Sequence, residues 1–302
     1  MTKLARLAAL GSAWLFVSIA TALAQGGPKP WQKTLNEPAT KVMDNIVWFN
    51  AYTLVIVTLI TVFVLGLLAW CIVKYSQKAN PEPSRVTHNS LLEAVWTIVP
   101  ILILVAIAIP SFKLLYGQYD PSRIYDDFDP KTAKFLTVKA TGYQWYWGYE
   151  YADGGENAEL GVEQEVSFDS IMLADDERGP GDPRLLAVDN QMVVPVSTFV
   201  RLQVTAADVI HSFAMPSFGV KVDAVPGRLN ETYFKAEREG LFYGQCSELC
   251  GKDHAYMPIA VRVVSQDQFK TWVAAAAGDL EDANKTLARL IEAEKNNKVA
   301  LR

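Results

Sequence analysis

The sequence predicts a two-helix transmembrane hairpin, then an all-β domain of short strands closed as a small barrel or sandwich, then a short amphipathic C-terminal helix. Three observations carry that reading. Two long apolar runs in the first third of the 302-residue chain contain no charged residue. Beyond Tyr116 the pattern changes to period-two alternation broken by Gly and Pro. From about Gln266 the apolar residues fall at helical spacing among many charges.

Residues 1–25 carry Lys3 and Arg6, an apolar run from Leu7, and the small-x-small exit Ala22-Leu23-Ala24. This is the pattern of a secretory signal peptide cut near Ala24 or Gln25, which leaves residues 26–44 as a short segment outside the cytoplasm. The uncharged run from Asn45 to Val73 predicts a spanning helix over about 45–73. A second, from Ala94 to Phe112, predicts another over about 92–115, with Trp96 and Tyr116 as interfacial aromatics. Pro100 and Pro110 do not exclude a spanning helix, because a neighbouring helix can satisfy the carbonyls that they free. The connection at 74–91 holds Lys74, Lys78 and Arg85 against Glu82 alone, so the positive-inside rule puts it in the cytoplasm. Everything after the second helix then lies outside. A lone thiol such as Cys71, in the first apolar run, packs as a small hydrophobe.

Residues 117–265 form the expected β domain, with stretches such as Leu136-Thr137-Val138-Lys139-Ala140-Thr141 and Ile259-Ala260-Val261-Arg262-Val263 as half-buried strands. The tail, 266–302, presents Leu280, Leu287, Leu290 and Ile291 on one helical face, expected to pack on its own domain.

The chemistry concentrates in one loop. The chain has three cysteines and three histidines, and four of the six are His211, Cys246, Cys250 and His254, with Met257 close behind. Thiolate and thioether are soft ligands that select copper, and imidazole suits it. A disulfide between Cys246 and Cys250 has no use for His254 and Met257. A structural zinc site of two cysteines and two histidines leaves Met257 idle and departs from the usual spacings. A mononuclear blue copper site leaves one cysteine over. Two thiolates between two histidines, with a thioether at one end, suit a pair of bridged copper ions better than any single metal. On this reading Cys246 to Met257 joins the last two strands, and His211 sits on a neighbouring loop at the same rim.

Two membrane helices, an outer β domain and this ligand set together resemble subunit II of cytochrome c oxidase, the haem-copper terminal oxidase, in its bacterial form. The resemblance covers roughly residues 30–270. It also rests on Gly142-Tyr143-Gln144-Trp145-Tyr146-Trp147-Gly148-Tyr149-Glu150-Tyr151, on Asp208-Val209-Ile210-His211-Ser212-Phe213-Ala214-Met215-Pro216-Ser217, and on Pro226-Gly227-Arg228-Leu229-Asn230. Tyr143 stands where many relatives carry histidine.

The resemblance implies a cupredoxin-like barrel holding the binuclear copper A centre. Cys246 and Cys250 would bridge, and His211, His254, Met257 and the Glu248 carbonyl would be terminal ligands. The Glu248 side chain would reach a magnesium ion at the boundary with subunit I, an oxygen ligand for a hard cation. Trp145 would receive the electron from cytochrome c. Twelve acids from Glu150 to Asp189 face only Arg178 and Arg184 in that stretch. A one-sign surface speeds encounter with an opposite partner, and the resemblance singles out Glu150, Asp169, Asp189 and Asp208 for docking. Glu93, at the cytoplasmic mouth of the second helix, would help protons enter subunit I. The implied whole is a proton-moving oxygen reductase in the bacterial inner membrane. Its copper domain and both termini would be periplasmic, subunits I and III and the lipid bilayer its partners, and haem confined to subunit I. Nucleic acid is not an expected partner. A quinol oxidase subunit lacks the copper ligands, nitrous oxide reductase needs a large propeller domain, and a chain without C-x-x-C-H carries no covalent haem. A membrane-anchored copper carrier stands as the non-enzymatic alternative, and it requires exposed, exchangeable ligands.

Overall fold

Thr40 starts the first long helix and ties it to the β domain in the same step. Its hydroxyl accepts the Met43 N–H at 3.1 Å as an N-cap and donates to the Phe218 carbonyl at 2.8 Å. The computed structural model describes residues 26–300; the segment read as a signal peptide lies outside them. Helix α1 spans Lys41–Lys74 and helix α2 spans Ser90–Gly117, with 34 and 28 residues. At 1.5 Å per residue the shorter is roughly 42 Å long, enough to cross a hydrocarbon core of about 30 Å. Both begin earlier than the uncharged runs suggest, because Thr40 and Asn89 are the caps and each first turn tolerates a carboxylate, Asp44 and Glu93. Their apolar side chains, Cys71 among its neighbours, are mostly exposed, as a lipid-facing surface requires.

Pro110 has no N–H to offer the carbonyl of Ala106, four residues earlier in α2. The Tyr52 hydroxyl of α1 donates to that carbonyl at 3.2 Å. A proline that frees an acceptor on one helix is matched by a donor on the other.

The β domain contains strands β1 (Phe135–Tyr143), β2 (Tyr146–Tyr151), β3 (Val166–Ser170), β4 (Met192–Pro195), β5 (Phe199–Ala206), β6 (His211–Met215), β7 (Val220–Ala224), β8 (Asn230–Lys235), β9 (Gly240–Cys246) and β10 (Pro258–Val264), with a short helix α3 (Gly155–Glu159) after β2. They form two five-stranded sheets, ordered β3-β2-β1-β5-β8 and β4-β10-β9-β6-β7. β1 with β5 and β10 with β4 are parallel, and the other pairs are antiparallel. The alternation read in the sequence becomes alternate burial: in β1 Leu136, Val138 and Ala140 are fully buried while Thr137, Lys139 and Thr141 are not. Inward residues of the two sheets make one continuous core that also includes Cys246, Cys250 and Met257.

The tail departs from a single helix. Helix α4 (Gln266–Ala276) opens with a capping box in which Ser265 and Gln268 bond each other's backbone N–H groups, and helix α5 (Leu280–Ala300) follows a break containing Gly278. The break folds α5 back on α4, and Phe269, Trp272, Val273, Ala283 and Leu287 are buried as part of the core.

Tyr52→Phe should lower hairpin stability by about 0.5–1 kcal/mol, as for an average interhelical bond in a membrane. Adding Pro110→Ala, which restores the helical N–H, should recover most of the loss; denaturation in detergent of both variants checks this.

Candidate metal centre

The strand register brings the predicted ligands together. Phe213 of β6 lies opposite Cys246 of β9, and β-strand side chains alternate, so His211 points inward on the same face two residues along. His211 is therefore not on a loop, as expected, but is the first residue of β6, paired with Ala224 of β7. Gly142 of β1 leaves room for its ring: a Cβ there would lie 2.9 Å from His211 Cδ2. Cys246 closes β9, Cys250 lies in the following loop, and Met257 immediately precedes β10, with a 3₁₀ turn at His254–Tyr256 between them.

The Cys246 and Cys250 sulfurs are 3.9 Å apart and both thiols are free. A disulfide requires about 2.05 Å. Two thiolates so spaced are close enough to ligate one metal ion, a metal–thiolate bond being about 2.3 Å. His211 Nδ1 is 3.9 Å from Cys246 Sγ, and His254 Nδ1 is 3.5 Å from Cys250 Sγ. Met257 Sδ lies 3.5 Å from Cys250 Sγ, and the Glu248 carbonyl 3.4 Å from Cys246 Sγ. The other four predicted ligand groups thus surround the sulfur pair, a soft donor set that fits copper. His211, Cys246, Cys250 and Met257 are buried, and His254 is half-buried.

Two families match this chain. The one described as the transmembrane domain of cytochrome c oxidase subunit II covers residues 28–114, and the one described as its periplasmic domain covers residues 136–264. The chain belongs to the cytochrome c oxidase subunit II family. It is 46% identical over 247 residues to a probable cytochrome c oxidase subunit 2 of Rickettsia conorii, covering 82% of this chain and 72% of that one. With cytochrome c oxidase subunit 2 of Cereibacter sphaeroides it shares 43% identity over 304 residues, 92% and 93% of the two chains. The solved periplasmic domain of subunit II of cytochrome oxidase from Bradyrhizobium japonicum is 61% identical over 47% of this chain and 92% of that one, with a TM-score of 0.41. The chain therefore joins a membrane-anchoring hairpin to a cupredoxin-like domain with a donor cluster suited to copper, as a subunit II of cytochrome c oxidase.

The β1–β2 turn and the start of β2 hold the loop between β9 and β10 by its carbonyls. Gln144 Nε2 donates to the Cys250 carbonyl at 2.8 Å, Trp145 Nε1 to the same oxygen at 3.3 Å, and Trp147 Nε1 to the Met257 carbonyl at 3.3 Å. Trp145 is half-buried at the surface, whereas Trp147 is wholly inside, edge-on to Phe213 and His211. Gly251, at φ +131°, lets the backbone pass under Trp145; a Cβ there would lie 2.8 Å from its Cζ2. Tyr143 stacks on Tyr146 at 4.7 Å.

The remaining predicted residues have varied surroundings. Glu150 is opposite Lys139 and paired with it at 3.0 Å, and Asp169 is exposed beside Gly148 on the same outer face. Asp189 accepts the N–H groups of Ile171 and Asn190, at 2.7 and 2.6 Å. Asp208 bonds three ways: to His211 Nε2 at 2.9 Å, to the Val209 N–H at 2.6 Å and to the Gln144 N–H at 2.7 Å. Its spacing of three residues before a ligand histidine was the available signal for this orienting contact. Glu93 accepts the Asn89 N–H at 3.1 Å and lies 3.9 Å from His88. Glu248 is exposed in a groove with Asp223, Glu231, Lys221 and Arg228.

Protons compete with metal here. Burial alone would raise the Cys246 thiol, but the His211 ring and backbone bonds at Ser212 and Glu248 outweigh it, and the net shift is downward. Burial and the charge of Cys246 both push Cys250 up. Burial opposes charging His211, yet its bonds to Cys246 and Asp208 prevail and raise it. His211 and Cys250 therefore hold protons to higher pH than usual, and ligation must displace them. Copper affinity of the metal-free domain should rise from pH 6 to 8, with about two protons released per chain from this pair; copper titration in weakly buffered solution would register both, and a flat profile contradicts the assignment.

Proposed function

We propose that this chain is the electron-accepting subunit of a cytochrome c oxidase, receiving electrons from cytochrome c on its periplasmic face and delivering them to haem groups in subunit I, where oxygen is reduced to water and protons are moved. The observation that carries this reading is a buried sulfur pair with two imidazoles, a thioether and a carbonyl around it. Cys246 and Cys250, with His211, His254, Met257 and the Glu248 carbonyl, would hold two copper ions, which would supply a one-electron carrier.

This chain's own residues do the rest. His211 and His254 present imidazole nitrogens from opposite ends, and Asp208 fixes the ring of His211 through its far nitrogen. Gln144, Trp145 and Trp147 hold the loop by its carbonyls, which limits movement of the ligands. The half-exposed Trp145 ring, bonded to the backbone of Cys250, gives a short path from surface to sulfur and supports its role as the electron port. Burial of the ligands argues against the carrier alternative, which needs them exchangeable. Exposure of Glu248 in a groove with Asp223 and Glu231 supports a magnesium ion shared with subunit I. Glu93 is read as the proton-uptake residue, at the end of α2 that the positive-inside rule puts in the cytoplasm. Glu150, Asp169, Asp189 and Asp208 are read as the cytochrome c docking acids, with subunit III a further partner in the same membrane.

The deciding experiment is copper content and electron paramagnetic resonance of the copper-loaded domain from Tyr116 onward. Two coppers per chain sharing one unpaired electron equally are expected; a single localised copper, or preference for zinc, overturns the reading.

Neutralising Glu150 and Asp169 together should lower the rate of cytochrome c oxidation about tenfold at low salt and flatten its dependence on ionic strength. Trp145→Leu should slow the same reaction by more than it disturbs the copper spectrum, because Gln144 still holds the Cys250 carbonyl; stopped-flow oxidation of cytochrome c, with the spectrum of the same sample, separates the two effects.

A further inference from the structure

The tail is joined to the acidic face by a chain of hydrogen bonds with a fixed direction. Trp272 of α4 is buried between Tyr151, Phe168 and Phe269, and its indole can only donate. It donates to Asn284 Oδ1 of α5 at 2.9 Å, so the amide nitrogen of Asn284 must face the other way. That nitrogen donates to Asn190 Oδ1 at 3.0 Å, and Asn190 Nδ2 in turn donates to the Asp169 carbonyl at 3.0 Å. One indole thus sets the orientation of two amides in series.

Asn190 is the point where this chain meets the two acids. Its N–H donates to Asp189 Oδ1 at 2.6 Å, and its carbonyl accepts the Ser170 hydroxyl at 2.6 Å. Strand β3, which carries Asp169, is an edge strand with β2 on one side only. On its open side and just past its end the chain meets residues 187–190, through Asp189 N–H to the Ile171 carbonyl at 3.0 Å, Ile171 N–H to Asp189 Oδ1 at 2.7 Å and Leu173 N–H to the Ala187 carbonyl at 2.9 Å. An edge strand takes its position from whatever covers it. Here the cover is pinned from behind by Asn284.

We infer that the α4–α5 pair is a positioning device for the surface that meets cytochrome c: through Asn284 and Asn190 it sets where Asp169 and Asp189 stand. This rests on the reading of those two acids as docking residues. Asn284 touches neither the metal ligands nor Trp145, so its effect falls on the encounter and not on the later electron steps.

The test uses the assembled oxidase. Asn284→Leu is close in size and leaves the charge unchanged, so a change in salt dependence reports displaced acids. The expected result is a KM for soluble cytochrome c raised about threefold, kcat unchanged, a weaker salt dependence of kcat/KM, and an unaltered copper spectrum. Asp169→Asn and Asp189→Asn are the references. If they raise KM while Asn284→Leu leaves KM and salt dependence as they were, the inference is overturned and the docking reading stands. If the charge variants themselves change nothing, the docking reading falls and takes this one with it. Should Asn284→Leu fail to assemble, Trp272→Phe, which keeps the ring packing and removes the donor, decides by the same KM.

Discussion

The metal loop is held by its backbone carbonyls. Eleven residues separate the end of β9 from the start of β10, too many to be fixed by the strands alone. Three side-chain N–H groups of the facing sheet, those of Gln144 and Trp145 in the β1–β2 turn and of Trp147 in β2, close on the carbonyls of Cys250 and Met257. A buried carbonyl left without a donor costs about 1–3 kcal/mol, so losing the Trp147 bond to Met257, or both bonds to Cys250 together, is expensive. Ligand placement, burial of the thiols and the position of the Trp145 ring all follow from this clasp between sheets.

His211, the proposed ligand on β6, shows the same economy from the other direction. Strand alternation aims His211 inward, Gly142 gives its ring space, and Asp208 bonds the nitrogen that faces away from the sulfurs. A carboxylate in that position both orients the ring and makes it a better donor. Asp208 also receives the Gln144 N–H, so the two sides of the site share a bond. Changing Asp208 would therefore disturb a ligand as well as remove a surface charge, which makes Asp169 and Glu150 cleaner probes of docking.

Much of this was legible in the sequence, and the parts that were not have a common cause. The uncharged runs marked α1 and α2, because a bilayer leaves little freedom in composition. Cys246, Cys250, His254 and Met257 could be grouped because they are neighbours in one short loop. Alternation marked β1 and β5, whose inward residues had to be apolar. By contrast the Tyr52 bond to Ala106, the Asn284 bond to Asn190 and the Gln144 bond to Cys250 join residues 54, 94 and 106 positions apart, and polar contacts at such separation leave no periodic trace. The sequence predicts one helix for the tail because its apolar spacing runs across the break, whereas the capping box of Ser265 and Gln268 and the interruption at Gly278 are signals of one or two residues each.

Thr40 has a mechanical meaning beyond its cap. Ala39 pairs with Ser217 and Glu237 through the backbone, the Thr40 hydroxyl reaches Phe218, and Met43 and Val42 are already buried in the first turn of α1. No flexible hinge separates membrane helix from barrel at this point. The first turn of α1 is thus part of the barrel's own packing, so the direction in which this helix leaves the domain is set by the barrel and not by a linker.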